Sequence, residues 1–174
     1  LDKINQDDYD VKTYSLPQRG NTSLDICANS LRDMINNYYN THSSDNKLCI
    51  VAVSRGALVS IKVLNELTSI PNKKLISIAG CINGTLLIDY ISKIPLINYF
   101  MDSNMLNEMK YNNPISKSLI SNIDYDRTFI ASMGDNRIFP FTSSLPINDK
   151  SQKTRHMVLG YSGHISITQD SLDL

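Results

Sequence analysis

Lys47-Leu-Cys-Ile-Val-Ala-Val-Ser-Arg-Gly-Ala-Leu-Val-Ser-Ile-Lys-Val-Leu64 is the stretch whose reading decides the fold. From Lys47 to Val53 the chain is continuously apolar after its first residue, which predicts a central parallel strand covered on both faces. From Arg55 to about Leu67 the same run predicts a helix, stopped by Pro71. The break falls at Ser54, with Ala52 two residues before it and Gly56 two after. A sharp strand-to-helix turn brings backbone close together at those positions and favours small side chains there. A serine at the tip is thrust out of the turn, where its hydroxyl can attack a substrate. The same serine also suits an ordinary helix cap, since N-terminal caps favour serine.

Strand and helix alternate outward from this turn. Asp10 to Leu16 alternates enough for a strand and is closed by Pro17 and Gly20. Thr22 or Ser23 can then cap a helix, in which Leu24, Ile26, Cys27, Leu31, Ile35 and Tyr38 recur at helical spacing to about Tyr39. Lys74 to Ala79 reads as the next strand. Periodicity is then lost through Tyr111, in a stretch rich in Ile, Leu, Tyr, Met and Asn. A short helix at Ile115 to Ile120 and strands at Arg127 to Ser132 and His156 to Tyr161 complete the pattern. The fold class expected is α/β, a mostly parallel sheet with helices on both faces and right-handed crossovers.

At 174 residues the chain suits one domain, residues 1–174, large enough to bury roughly two thirds of its unfolded surface. Seventeen Lys and Arg balance seventeen Asp and Glu, without a basic stripe interleaved with aromatics, so no nucleic-acid partner is expected. No apolar run approaches the roughly 20 residues that span a bilayer, so no transmembrane segment is expected either and the domain reads as soluble. Cys27, Cys49 and Cys81 are odd in number and lie in apolar surroundings, which predicts buried free thiols. Three histidines, none clustered with cysteine, give no basis for a metal site, and no cofactor is expected. The chain opens on Leu1 and shows no basic segment followed by an apolar one, so no signal peptide is visible and the compartment is left open.

In open parallel sheets the chemistry collects at the carboxyl ends of the strands. Three sequence features fall there: Ser54; the loop Gly134-Asp135-Asn136-Arg137-Ile138-Phe139-Pro140; and Gly163-His164 after the last strand. Serine, acid and histidine in that chain order, each after a strand, are the order of a nucleophile, an orienting carboxylate and a proton acceptor.

On these residues the chain resembles an α/β-hydrolase of the lipase/esterase kind. Ala52-Val-Ser-Arg-Gly56 matches the family's nucleophile elbow with alanine in place of the first glycine. Ser77-Ile-Ala-Gly-Cys-Ile-Asn-Gly-Thr-Leu86-Leu-to-Asp89 resembles the family's loop after the nucleophile helix, keeping its tail at Asn83-Gly84-Thr85 and replacing its proline and histidine by Cys81 and Ile82. Gly134 to Pro140 resembles the acid loop and Tyr161-Ser-Gly-His164 the histidine loop. The resemblance runs from about Tyr9 to Ile167.

What it implies is a serine hydrolase of carboxylic esters, small-molecule or lipid, acting through an acyl-enzyme. Ser54 would be the nucleophile, His164 the base and Asp135 the carboxylate, although counting back from Ile138-Phe139-Pro140 puts Asn136 at the family's acid position. Asp89 and Asp124 are lesser replacements. One oxyanion donor would be the backbone N–H of Arg55. The second comes in the family from a loop after an earlier strand, and Leu1 to Asp8 is too short and polar to supply it, so the chain is expected to lack its amino-terminal strand. The Arg55 side chain is expected to be solvated or to meet an anionic part of the substrate. Residues 86–112 are expected to form a lid or cap, with Tyr99, Phe100, Met101 and Met105 lining it, or else to pack as core. An acyltransferase or thioesterase on the same scaffold, and a non-catalytic domain binding an acyl ligand or protein partner, remain as alternatives.

Overall fold

The computed structural model of the chain describes residues 10–42, 47–121, 123–146, 149 and 151–171. Its strands are β1 (Lys47–Val53), β2 (Asn72–Ile78), β3 (Asp126–Ser132) and β4 (Thr154–Leu159), paired in the order β1-β2-β3-β4 and all parallel. Val53 stands opposite Ile78, Ile78 opposite Ile130, and Ile130 opposite Met157, so the four carboxyl ends form one rim. The α-helices are α1 (Leu24–Thr41), α2 (Arg55–Glu66), α3 (Leu86–Ile91), α4 (Ser103–Glu108), α5 (Pro114–Ser121) and α6 (Ser166–Asp170).

The continuous apolar character of α2 follows from its place in the stack. Its Ala57, Ile61 and Leu64 meet Leu75, Phe129 and Ala131 of the sheet. Its Leu58, Val59 and Val63 meet Leu24, Cys27, Leu31 and Ile35 of α1. Each such side chain contributes about 1.5–3 kcal/mol when fully buried. Packed by the sheet on one side and α1 on the other, α2 keeps only a narrow polar edge, where Lys62 and Glu66 pair at 3.1 Å. Strand parity sends Ile76, Ile78, Ile130, Met157 and Leu159 to the opposite face, where Ile167 of α6 covers them. Helices therefore cover both faces of an α/β sheet, as the alternating pattern implies.

Ser23 caps α1, accepting a 3.3 Å hydrogen bond from the Ile26 N–H. Three expectations are corrected. Asp10 to Leu16 is not a strand: it runs unpaired, and Tyr14 and Leu16 pack on the α1–α2 core, a spacing of two that mimics strand alternation. Among the described residues β1 is not central but lies at one edge of the sheet, with Val51 47% and Val53 39% exposed on the face opposite α2. The five residues of α6 cover β2, β3 and β4 but not β1. Cys49 lies on that same open face and is exposed, whereas Cys27 and Cys81 are buried and free.

Candidate active site

Ser54 follows β1 and opens α2 with backbone angles φ 55° and ψ −128°. Positive φ is rare outside glycine and costs of order 1–3 kcal/mol unless surrounding structure enforces it. Here the enforcement is visible: the Ser54 N–H donates to the Ile78 carbonyl at 3.0 Å, while its own carbonyl accepts from Ala57 at 3.1 Å and from Cys81 at 3.2 Å. The tight approach behind the turn is not at Gly56, where an added Cβ would meet nothing within 4 Å. It is at Gly80, where a Cβ would fall 2.8 Å from the Ala57 Cβ and 2.3 Å from Ser77 Oγ. The crowding expected two residues after the serine is instead between Gly80, just after β2, and the first turn of α2 at Ala57.

His164, beyond the end of β4, is buried, and its Nδ1 lies 2.8 Å from Asp135 Oδ2. The other carboxylate oxygen of Asp135 accepts the N–H groups of Arg137 at 2.8 Å and Ile138 at 2.9 Å. Burial pushes the Asp135 carboxyl up, but the hydrogen bonds from His164 and from these two amides outweigh it and hold the group below its ordinary value. A charged carboxylate thus fixes the imidazole with Nδ1 as donor and leaves Nε2 as the acceptor. Asn136, at the position the family register suggests, is exposed. Asp124 is exposed and paired with Lys153 at 2.7 Å.

The loops carrying these groups are held by residues that motif reading did not single out for a role. Ser132, the last residue of β3, donates to the Ser162 carbonyl at 2.6 Å and accepts from Gly134, tying the acid loop to the histidine loop. A Cβ on Gly134 would fall 2.6 Å from the Tyr161 backbone, so the two loops touch main chain to main chain. Thr85 Oγ1 donates to the Arg137 carbonyl at 2.9 Å and accepts from Phe139 N–H at 3.0 Å. Gly84, at φ 75°, lets Thr85 lie against Lys110, whose carbonyl oxygen would be 2.0 Å from a Cβ there. The retained Asn83-Gly84-Thr85 tail was the signal for this latch.

Cys81 stands between the two halves of the site. Burial pushes its thiol up to about 12, with opposing influences from the Arg55 and Asp135 charges. Among the described residues the Ser54 hydroxyl makes no hydrogen bond, to His164 or to the helix it opens, whereas His164 and Asp135 are joined to each other.

Arg55 donates its backbone N–H to no main-chain acceptor, as the first turn of a helix leaves it. Its side chain is neither solvated nor open to a substrate: it is buried, paired with Glu108 at 2.7 Å and bonded to the Gly20 carbonyl. Leu1 to Asp8, on which the expectation about the second oxyanion donor rests, lie outside the described residues. In the 86–112 segment, Met105 is buried with Ile88 and Leu106, and Met101 packs against them. Tyr99 and Phe100 are 82% and 79% exposed. Among the described residues no group of three or more His, Cys, Asp or Glu is arranged to hold a metal, and no helix is long and apolar enough to cross a membrane.

No protein-family model and no curated protein sequence matches the chain. Solved structures do. An α/β-hydrolase superfamily protein from Enterococcus faecalis superposes with a TM-score of 0.57 at 15% identity, covering 87% of this chain and 69% of that one. Aspergillus fumigatus lipase B gives 0.60 at 16%, covering 86% of this chain and 39% of that one. A structure described under the metagenome-derived lipolytic enzymes LipS and LipT gives 0.61 at 10%, covering 88% and 72%. The chain thus spans well under half of the fungal lipase and about seven tenths of the other two.

Proposed function

From the α/β-hydrolase fold that these superpositions establish, we propose that the chain is a serine hydrolase of carboxylic esters. The observation that carries the reading is the backbone of Ser54. A serine serving only as a cap has extended angles and a hydroxyl bonded to the helix, as Ser23 does at φ −61° and ψ 155°. Ser54 has neither: its φ is positive and its hydroxyl makes no cap bond. Strain of that kind persists where a site needs it.

In this reading Ser54 Oγ attacks the ester carbonyl while His164 Nε2 takes its proton. The Asp135 carboxylate stabilises the resulting imidazolium through Nδ1 and holds the ring. The Arg55 N–H stabilises the negative charge on the carbonyl oxygen. The imidazolium then protonates the departing alcohol, leaving an acyl-serine that water hydrolyses by the same steps in reverse order of groups. Residues 86–112 act as the cap, with exposed Tyr99 and Phe100 supplying apolar surface for an acyl chain, which favours a small or lipid ester as the substrate class. A non-catalytic acyl-binding domain is the second reading, favoured by the lack of a hydrogen bond between the Ser54 hydroxyl and His164 among the described residues.

A fluorophosphonate probe separates the two. Labelling of the wild type, lost in Ser54→Ala, together with hydrolysis of a p-nitrophenyl ester, is the expected result. A folded wild type that neither labels nor hydrolyses supports the binding domain.

A further inference from the structure

The residue after the nucleophile is held from a distance. Arg55 runs its guanidinium inward, where Nη1 bonds the Gly20 carbonyl and Nη2 bonds Glu108 Oε2 at 2.7 Å. The side chains of the pair are 7% and 13% exposed. The same Glu108 oxygen also accepts the Leu24 N–H at 2.8 Å, the first amide of α1. Glu108 closes α4, whose amino-terminal end is pinned to the same turn: Asn21 Nδ2 donates to the Phe100 carbonyl at 3.0 Å and Asn21 Oδ1 accepts from the Asp102 N–H at 2.8 Å. The 100–108 strap is therefore fastened at both ends to the 20–24 turn, and Glu108 links it to the elbow.

A buried ion pair is a costly way to fill space, since apolar side chains of similar volume often serve stability as well or better. What a charged, forked contact supplies is position: a guanidinium bonded on two sides fixes the place of its own main chain. The main chain in question carries the N–H expected to receive the oxyanion charge, directly after a residue in a strained conformation. We propose that Glu108 is a positioning residue for the reaction at Ser54, holding Arg55 so that its N–H stays aimed at the developing oxyanion. The inference rests on the hydrolase reading, and it gives the strap a role at the reacting centre that needs no contact with substrate.

The test is steady-state hydrolysis of a p-nitrophenyl ester by the full chain, with rates normalised to the number of fluorophosphonate-labelled serines. In Glu108→Ala, kcat per labelled serine is expected to fall about 10- to 100-fold while KM changes less than about 3-fold, the signature of a group acting in the transition state. Glu108→Gln, which keeps an acceptor but no charge, is expected to lie between. A merely structural pair would reduce the number of labelled sites and leave the rate per site unchanged. Should Glu108→Ala fail to fold, the double variant Arg55→Met with Glu108→Leu replaces the pair by apolar bulk; it is expected to fold, label and remain slow. An unchanged rate per labelled serine in the folded variants overturns this inference alone. A folded wild type without labelling or turnover overturns the hydrolase reading and this inference with it.

Discussion

Ser23 and Ser54 both precede helices, and at the scale of single residues their difference is the ground on which the proposed nucleophile rests. One spends its hydroxyl on a helix amide; the other holds it free at positive φ. The same scale decides between adjacent candidates for the acid. Asp135 receives three hydrogen bonds, one from His164 and two from amides, while Asn136 points to solvent. Asp135→Asn is accordingly expected to lower turnover of a p-nitrophenyl ester by on the order of 10⁴, because an amide would favour the wrong imidazole tautomer. Asn136→Ala is expected to stay within about 2-fold of wild type, with both read as kcat/KM. A large loss in Asn136→Ala and none in Asp135→Asn would reverse the assignment. The family register pointed to Asn136 because counting along a loop assumes its path; the path here is set by Thr85, which grips Arg137 and Phe139 from another part of the chain.

At the scale of elements, the turn between β1 and α2 depends on its neighbour more than on its own small residues. Gly56 has open space where a Cβ would go, and Gly80, after β2, does not. Gly56→Ala is therefore expected to be neutral or to stabilise by up to about 1 kcal/mol, as alanine does within helices. Gly80→Ala is expected to destabilise by about 1–3 kcal/mol through overpacking against Ala57 and Ser77. Urea denaturation midpoints measure both, and equal losses at the two positions would restore the crowding to Gly56. The helices α1 and α2 and the four strands were legible because their periods are local properties of the sequence. The strand expected at Asp10 to Leu16 was not, since alternation records which residues are buried and not whether the backbone finds a partner.

For the molecule as a whole, charge placement sets the response to pH. Asp149 takes Arg127 Nη2 at 2.6 Å and Nε at 2.9 Å, together with the Thr154 hydroxyl at 2.7 Å and the Ser151 amide at 3.0 Å. Burial pushes its carboxyl up, but these partners hold it below its ordinary value, as happens at Asp135. Carboxyls depressed on folding add stability that is fully present above their unfolded values, near 4, and is lost as pH falls through the lower folded values. The urea midpoint is expected to be flat from about pH 7 to 5 and to drop below about pH 4. Asp149→Asn, which leaves the buried Arg127 short of its counter-charge, is expected to cost about 3 kcal/mol at pH 7 and to flatten the acid slope. A slope identical to wild type would remove Asp149 from this account.

The sequence by itself determined the alternation of strands and helices, the order serine, acid, histidine, and the strand ends after which each falls, because apolar periodicity and turn residues act over a few positions. Only the tertiary structure decided that β1 lies at an edge, that Asp135 and not Asn136 meets His164, that Gly80 and not Gly56 is the tight point, and that Arg55 is buried against Glu108. These follow from contacts between segments far apart in the chain, and no local period encodes a contact across 53 residues such as that of Arg55 with Glu108. Ser54 was found by its neighbours in sequence; its strain is imposed by neighbours in space, at Ile78 and Cys81.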